Sequence, residues 1–285
     1  MLTIRIGTRP SPLALAQVKI VADRIKLSYP NSRIITVPIK TSGDKSTAFF
    51  SNDPSGLKGM FTREIEQALI NGEIDLAVHS LKDLSADINP KLPVLAYTER
   101  GNPFDALVMN NRGGNIIGTS SLRRRLQIER LMPDVKVVPV RGNIGTRLRK
   151  LDDGEISGLI LSAAGLERLG LSGRITRVFT ADEVIPAPGQ GILACQGRFE
   201  GDYSYLTAVN DDSSRYCAIA ERSFSRRIGS GCNVPVGAYA VVEGDVLTLR
   251  GLFVDGEGRF KKGMISGKRE EAELIGKNLA EVITL

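Results

Sequence analysis

Residues 4–17, IRIGTRPSPLALAQ, and residues 116–131, IIGTSSLRRRLQIERL, decide the fold. Each begins as a strand, reaches Gly-Thr, passes through a short run of basic or hydroxyl residues and then takes helical spacing. In the first stretch Ser11 stands where an N-cap belongs, and Pro12 suits the first helical turn. Two more strand-to-helix units follow the second, VKVVPVRGNIGTRLRKL at 135–151 and GLILSAAGLERLGL at 158–171. The expectation is an α/β chain with two similar lobes, arginines and hydroxyls gathering at the strand ends of both.

Residues 71–85, NGEIDLAVHSLKDLS, complete the first lobe. The helix FTREIEQALI puts Phe61, Ile65 and Leu69 on one face and ends near Asn71-Gly72, after which Ile74, Leu76 and Val78 alternate as a short strand. Lys82 and Asp83 then fall just past its carboxyl end, the edge at which open α/β sheets bind ligands. An isolated Lys-Asp pair on a loop is ordinarily only solvated; its company makes this one a candidate. His79, the only histidine, reads as a satisfied side chain at the strand end without a catalytic role. RIITVPIK at 33–40 is a further strand, and residues 41–60 have the composition of a long loop, the kind that is a functional lid or a disordered segment. VLAYTERGNPFDALVMN, 94–110, reads as two strands around a passage between lobes, and PAPGQGILACQGR, 186–198, as a hinge and another strand. Residues 211–228 form a capped helix. The tail, 238–283, alternates strand runs with Gly-Asp and Asp-Gly turns before a last amphipathic helix, a small α+β domain.

A chain of 285 residues with 42% hydrophobic and 25% charged residues is an ordinary globular protein of two or three domains. No apolar run approaches membrane-spanning length and the N-terminus enters a strand at once, so a cytoplasmic protein with no membrane partner is expected. Cys195, Cys217 and Cys232 form no CxxC pair, which argues against a disulfide framework and a thiolate metal site. A single histidine excludes His-rich metal centres, and no metal is expected. The net charge of +6 points to an anionic partner. Absence of Trp, 5% aromatics and no recognisable motif argue against nucleic acid. Arg9, Arg123, Arg124, Arg141, Arg147 and Arg168, all near strand ends, describe a cleft for a polyanion, since guanidinium forks hold carboxylates and phosphates bidentately, and a small molecule bearing many carboxylates fits it at least as well as a nucleic acid; Arg125 is expected to be solvated. Within such a cleft an ionised Asp83 can stabilise a cation or shuttle a proton. Cys195 and Cys217 lie in apolar runs and read as core. Cys232, in the glycine-rich GSGCNVPVG at 229–237, reads either as a thiol left accessible by the glycines or as a plain turn residue. A two-lobed protein that binds an anionic metabolite without changing it explains the arginines equally, but leaves Asp83 and Cys232 without work.

GTRPSPLALAQ, GLKGMFTREIE, DLAVHSLKDL, GTSSLRRR, VRGNIGTRLRKLD, AAGLERLGL, PAPGQG and GCNVPVGAYA, in this order, resemble the porphobilinogen deaminase family across nearly the whole chain. The resemblance implies two similar periplasmic-binding-protein-like lobes, residues 1–96 with 191–208 and residues 97–190, plus a small α+β C-terminal domain with an antiparallel sheet, residues 211–285. It implies a monomeric transferase condensing four porphobilinogen molecules head to tail into a linear tetrapyrrole, with loss of ammonia, on a dipyrromethane cofactor joined to Cys232 by a thioether. Asp83 matches the catalytic aspartate. Lys82, Ser80, Thr119, Ser121, Arg123 and Arg124 match cofactor contacts; Arg9, Ser11, Arg141, Arg147, Arg168 and Gln190 match substrate contacts; Lys58, Gly59 and Phe61 match a lid loop. The chain departs from the family pattern at Ser85, where proline is expected, in GSGC for the usual Gly-Gly-Cys, and in its short C-terminus.

Overall fold

The computed structural model describes residues 1–42, 62–85, 87–229 and 235–284. Lys58, Gly59, Phe61 and Cys232 lie outside the described residues. In the first lobe the described elements are β1 (Thr3–Thr8), α1 (Pro12–Ser28), β2 (Arg33–Pro38), α2 (Arg63–Ile70), β3 (Leu76–Ser80) and β4 (Val94–Tyr97). In the second they are β5 (Asp105–Met109), β6 (Ile116–Gly118), α3 (Leu122–Leu131), β7 (Lys136–Val138), α4 (Ile144–Asp152), β8 (Gly158–Ser162), α5 (Ala163–Arg168) and β9 (Arg177–Val178). The chain then returns to the first sheet as β10 (Leu193–Gln196). The C-terminal part holds α6 (Asp212–Arg227), β11 (Val236–Glu243), β12 (Val246–Val254), β13 (Phe260–Lys268) and α7 (Ala272–Thr284).

The two lobes repeat one topology. The first sheet runs β2-β1-β3-β10-β4 and the second β7-β6-β8-β5-β9. In each, the first three are parallel and the last two pair antiparallel. The glycine of each Gly-Thr motif has the same cause: a Cβ on Gly7 would lie 2.2 Å from Ile74, and one on Gly118 2.6 Å from Val140 and 2.9 Å from Ile156. Ile74 and Ile156 each stand two residues before the strand that enters beside the glycine, so a bare backbone is what lets the strands close up.

Both sheet faces are covered, as parallel sheets require. Leu76 and Val78 of β3 join Ile4, Val18, Ile25 and Leu193 on one face, while Ala77 joins Ile65, Leu69 and Leu92 on the other. The alternation read in Ile74, Leu76 and Val78 is therefore not an apolar face against a wet one: Leu76 to His79 are all buried. In the second lobe Leu159 and Leu161 face one layer and Ile160 the other. The three-stranded antiparallel sheet β11-β12-β13 packs against α6 and α7 around Phe224, Leu247, Leu249 and Leu279. Helix starts are capped as their sequences suggest: Ser11, Ser121 and Asn143 each accept a backbone N–H through the side chain.

Candidate active site

Asp83 ends a single 3-10 turn, Leu81–Asp83, directly after β3, and its side chain is exposed. It lines one cleft with Thr8, Arg9, Ser11, Gln17, His79 and Ser80. The turn is held by two backbone bonds, Leu81 N–H to the Ile192 carbonyl (3.0 Å) and Leu84 N–H to the Leu81 carbonyl (3.1 Å). Gln17, reaching over from α1, donates to Ser80 Oγ at 2.7 Å.

The second lobe brings its cations to the same place from the start of α3. Asp105, the first residue of β5, is fully buried there. Its Oδ2 accepts from Arg123 at 2.8 Å; its Oδ1 accepts from Arg124 at 2.7 and 2.9 Å and from Gln190 Nε2 at 2.9 Å. Burial alone would push the Asp105 carboxyl up, but the two guanidinium charges and their hydrogen bonds overcome it and hold it well below the usual carboxylate range. Arg123 also donates to the Ile185 carbonyl at 2.7 Å. The RRR run thus divides as helical geometry demands: Arg123 and Arg124 are buried, and Arg125 is exposed and paired with Glu129.

Lys82 links the lobes, its Nζ donating to Gln190 Oε1 at 3.3 Å. Burial pushes this ammonium down to about 8; Arg124 adds to the lowering, while Asp83 and Asp105 oppose it. Arg147, at the start of α4, donates Nε to the Gly142 carbonyl at 2.7 Å and is lowered by burial and by Arg124, with Asp83 opposing. Arg147 and Asp83, on different lobes, thus act on each other across the cleft. Thr119 is buried, with Oγ1 accepting from Ser121 N–H, and Arg141 is exposed.

Gln190 and Arg168 are engaged where the chain crosses between lobes, and His79 stands in the cleft itself. Gln190 is 1% exposed, and its amide serves Lys82, Arg124, Asp105 and the Pro103 carbonyl, so it belongs to the buried network between lobes. Arg168 donates to the Gly191 carbonyl where the chain crosses between lobes. Burial pushes its guanidinium down to about 10. His79 differs from the satisfied residue read in the sequence: its buried Nε2 has no hydrogen-bond partner among the described residues. Burial pushes its imidazole down to about 4, with Gln196 opposing. Cys195 and Cys217 are core, as expected, and burial pushes both thiols up to about 12.

Sequence reasoning missed Asp105 and Glu221. Glu221 of α6 is fully buried, accepting from Arg100 at 2.6 Å, from Gly189 N–H at 2.6 Å and from Ala240 N–H at 2.7 Å. Both had a signal: Asp105 leads the apolar run ALVM, and Glu221 shares the buried face of α6 with Cys217 and Phe224. A carboxylate in such a position is buried only when cations or N–H donors meet it.

Among solved structures, the effector-binding domain of BenM is 14% identical, with a TM-score of 0.43 over 72% of this chain and 87% of that one. A curated relative named porphobilinogen deaminase from Acetivibrio thermocellus is 44% identical, covering 97% of this chain and 96% of its own; one from Ruminiclostridium josui is 41% identical, covering 99% and 97%. Residues 4–204 match the family model "Porphobilinogen deaminase, dipyromethane cofactor binding domain" and residues 215–284 match "Porphobilinogen deaminase, C-terminal domain". With matches of that extent over a cleft that sets one exposed aspartate among cations from both lobes, the chain belongs to the porphobilinogen deaminase family.

Proposed function

We propose that the chain condenses four porphobilinogen molecules head to tail into the linear tetrapyrrole hydroxymethylbilane, releasing ammonia at each step, on a dipyrromethane primer joined to Cys232. The observation that carries this reading is the surplus of cations beside Asp83. Among the described residues Asp105 pairs with Arg123 and Arg124, Asp83 acts on Arg147, both acids act on Lys82, and Lys82 is lowered because burial and Arg124 outweigh them. Each pyrrole ring brings an acetate and a propionate, which is the charge the cleft lacks.

The same surplus is the donor set a carboxylate-bearing dipyrrole needs, so the residues fit that group. Lys82, Arg124, Ser80, Thr119, Ser121 and Arg123 would hold it; Cys232, its attachment point, lies outside the described residues. Once bound it supplies the chain end to which rings are added. Arg9, Ser11, Arg141 and Arg147 bind the carboxylates of incoming substrate and of the growing chain, fixing the ring to be joined. Loss of ammonia from porphobilinogen leaves an electron-poor methylene-pyrrole. Asp83 accepts the pyrrole N–H and steadies its positive charge, an interaction strongest where charge is greatest. The buried Asp105 does not touch substrate; it keeps Arg123 and Arg124 oriented without neutralising the cleft. No described helix is long and apolar enough to cross a membrane. The reading takes the chain to be a cytoplasmic monomer that binds no nucleic acid.

Intact mass tests the covalent part: the purified protein should carry a two-pyrrole adduct that Cys232→Ala abolishes, and active enzyme without an adduct rejects the reading. Porphobilinogen consumption coupled to ammonia release tests the chemistry. Asp83→Asn should fold and still bind substrate yet lose about a hundredfold in turnover; near-normal turnover removes the role given to Asp83.

A further inference from the structure

The 3-10 turn that ends on Asp83 is seated on the C-terminal part of the chain as well as on its own lobe. Leu81 and Leu84, either side of Lys82 and Asp83, pack in one apolar cluster with Ile192, Ala194 and Ala218 of α6. Ala218, Glu221 and Arg222 are spaced i, i+3, i+4 and share one helix face. Glu221 accepts the N–H of Gly189, whose φ is +75° and whose missing side chain makes room for Leu81: a Cβ there would lie 2.7 Å from it. The next residue, Arg222, is 8% exposed and donates Nη2 to the Ser85 carbonyl, two residues past Asp83. Ser85 Oγ in turn accepts the Asp87 N–H at 3.3 Å, and Arg226, one turn further along α6, lies 3.8 Å from the Asp87 carboxylate. One face of α6 therefore supports the turn from behind, through Gly189 and Leu81, and holds its exit, through Ser85.

We propose that Arg222 is a positioning residue for catalysis: by fixing the Ser85 carbonyl it sets the direction of the Asp83 carboxylate, so the helix leading towards Cys232 in sequence also aims the aspartate. A guanidinium suits the task because it is planar, stays charged and bonds a carbonyl in a fixed direction. Asp83 itself is exposed, and among the described residues the backbone bonds of its turn are those from Leu81 to Ile192 at its start and from Leu84 to Leu81 across it. An exposed carboxylate on one short turn moves by the small displacement that costs a catalytic group much of its effect.

The proposal rests on the catalytic reading of Asp83, and the test separates the two. Arg222→Met keeps the length and apolar stem of the side chain and removes its donors. It should lower kcat at least tenfold with KM within twofold of the parent, and Arg222→Lys, which keeps a charged donor, should recover part of the loss. A merely structural role would lower the folded fraction and leave kcat per folded molecule unchanged, which overturns the proposal. If Arg222→Met does not fold, Arg222→Gln carries the same comparison. The double variant Asp83→Asn with Arg222→Met should be no slower than Asp83→Asn alone, because a residue that acts through Asp83 has nothing left to position. Multiplying losses, or a kcat within twofold in Arg222→Met beside a crippled Asp83→Asn, sinks the proposal and leaves Asp83 standing. Near-normal turnover in Asp83→Asn sinks the underlying reading instead.

Discussion

Asp105 and His79 show how much a single buried side chain decides. Asp105 joins two guanidinium groups and an amide on one carboxylate, and without it Arg123 and Arg124 would be adjacent uncompensated charges. His79 carries the opposite problem, a buried imidazole that burial keeps neutral. Its ordinary value of 6.5 is lowered to about 4 in the folded chain. Above 6.5 it is neutral in both states and costs nothing. Between 6.5 and 4 the unfolded chain takes up a proton that the folded chain refuses, so stability falls with pH across that window by roughly 3 kcal/mol. Urea unfolding at pH 7 and pH 5 should show about 2 kcal/mol of that loss, the part that falls between 6.5 and 5, and His79→Gln should remove most of it. Asp105 acts in a lower window, since its depressed carboxyl gives stability that is lost only as pH falls through a still lower value.

At the scale of elements, the crossing of α6 and α7 is set by Gly276. A Cβ there would lie 2.4 Å from the Ala220 carbonyl oxygen and 2.7 Å from Ser223 Cβ, and one of the two helices would have to shift. Gly276→Ala should gain helix propensity yet destabilise the C-terminal domain by about 1–3 kcal/mol through overpacking; calorimetry of the variant gives the sign. The helix-to-strand turns of the lobes repeat as closely as the strand-to-helix turns do. NGEID at 71–75 and DGEIS at 153–157 each place Gly in the left-handed region and return backbone bonds to equivalent acceptors, Glu73 N–H to Ala68 and Glu155 N–H to Lys150. That second echo was as open to reading as IRIGT against IIGTS, since both are local and both record one turn chemistry used twice.

For the whole molecule, the meeting point is Arg100 with Glu221. Arg100 leaves the first lobe, donates Nε to the Gln190 carbonyl on the returning crossing and Nη1 to Glu221 and the Ala240 carbonyl, and stacks on Tyr239 at 5.1 Å. Both crossings and the C-terminal sheet therefore share one ion pair whose carboxylate is fully buried. Glu221→Gln would leave the Arg100 charge without its counterion and should cost about 3–5 kcal/mol. In a scanning calorimeter the expected outcome is an earlier, separate transition for the C-terminal domain; one unshifted transition would show the latch to be dispensable.

By itself the sequence determined the local units. Apolar spacing, caps such as Ser11 and Asn143, and Gly-Thr turns fix where strands and helices begin, because those preferences act over a few neighbouring residues. Asp83 at a strand end was legible for the same reason. Tertiary structure alone decided which charges remain available. Arg123 and Arg124 meet Asp105 only when β5 lies beside α3, Gln190 and Arg168 are drawn to the crossings, and Arg222 reaches Ser85 across 137 residues of chain. Such partners are chosen by burial, which no local pattern records: a charge leaving water must find its counterpart wherever the folded chain brings one.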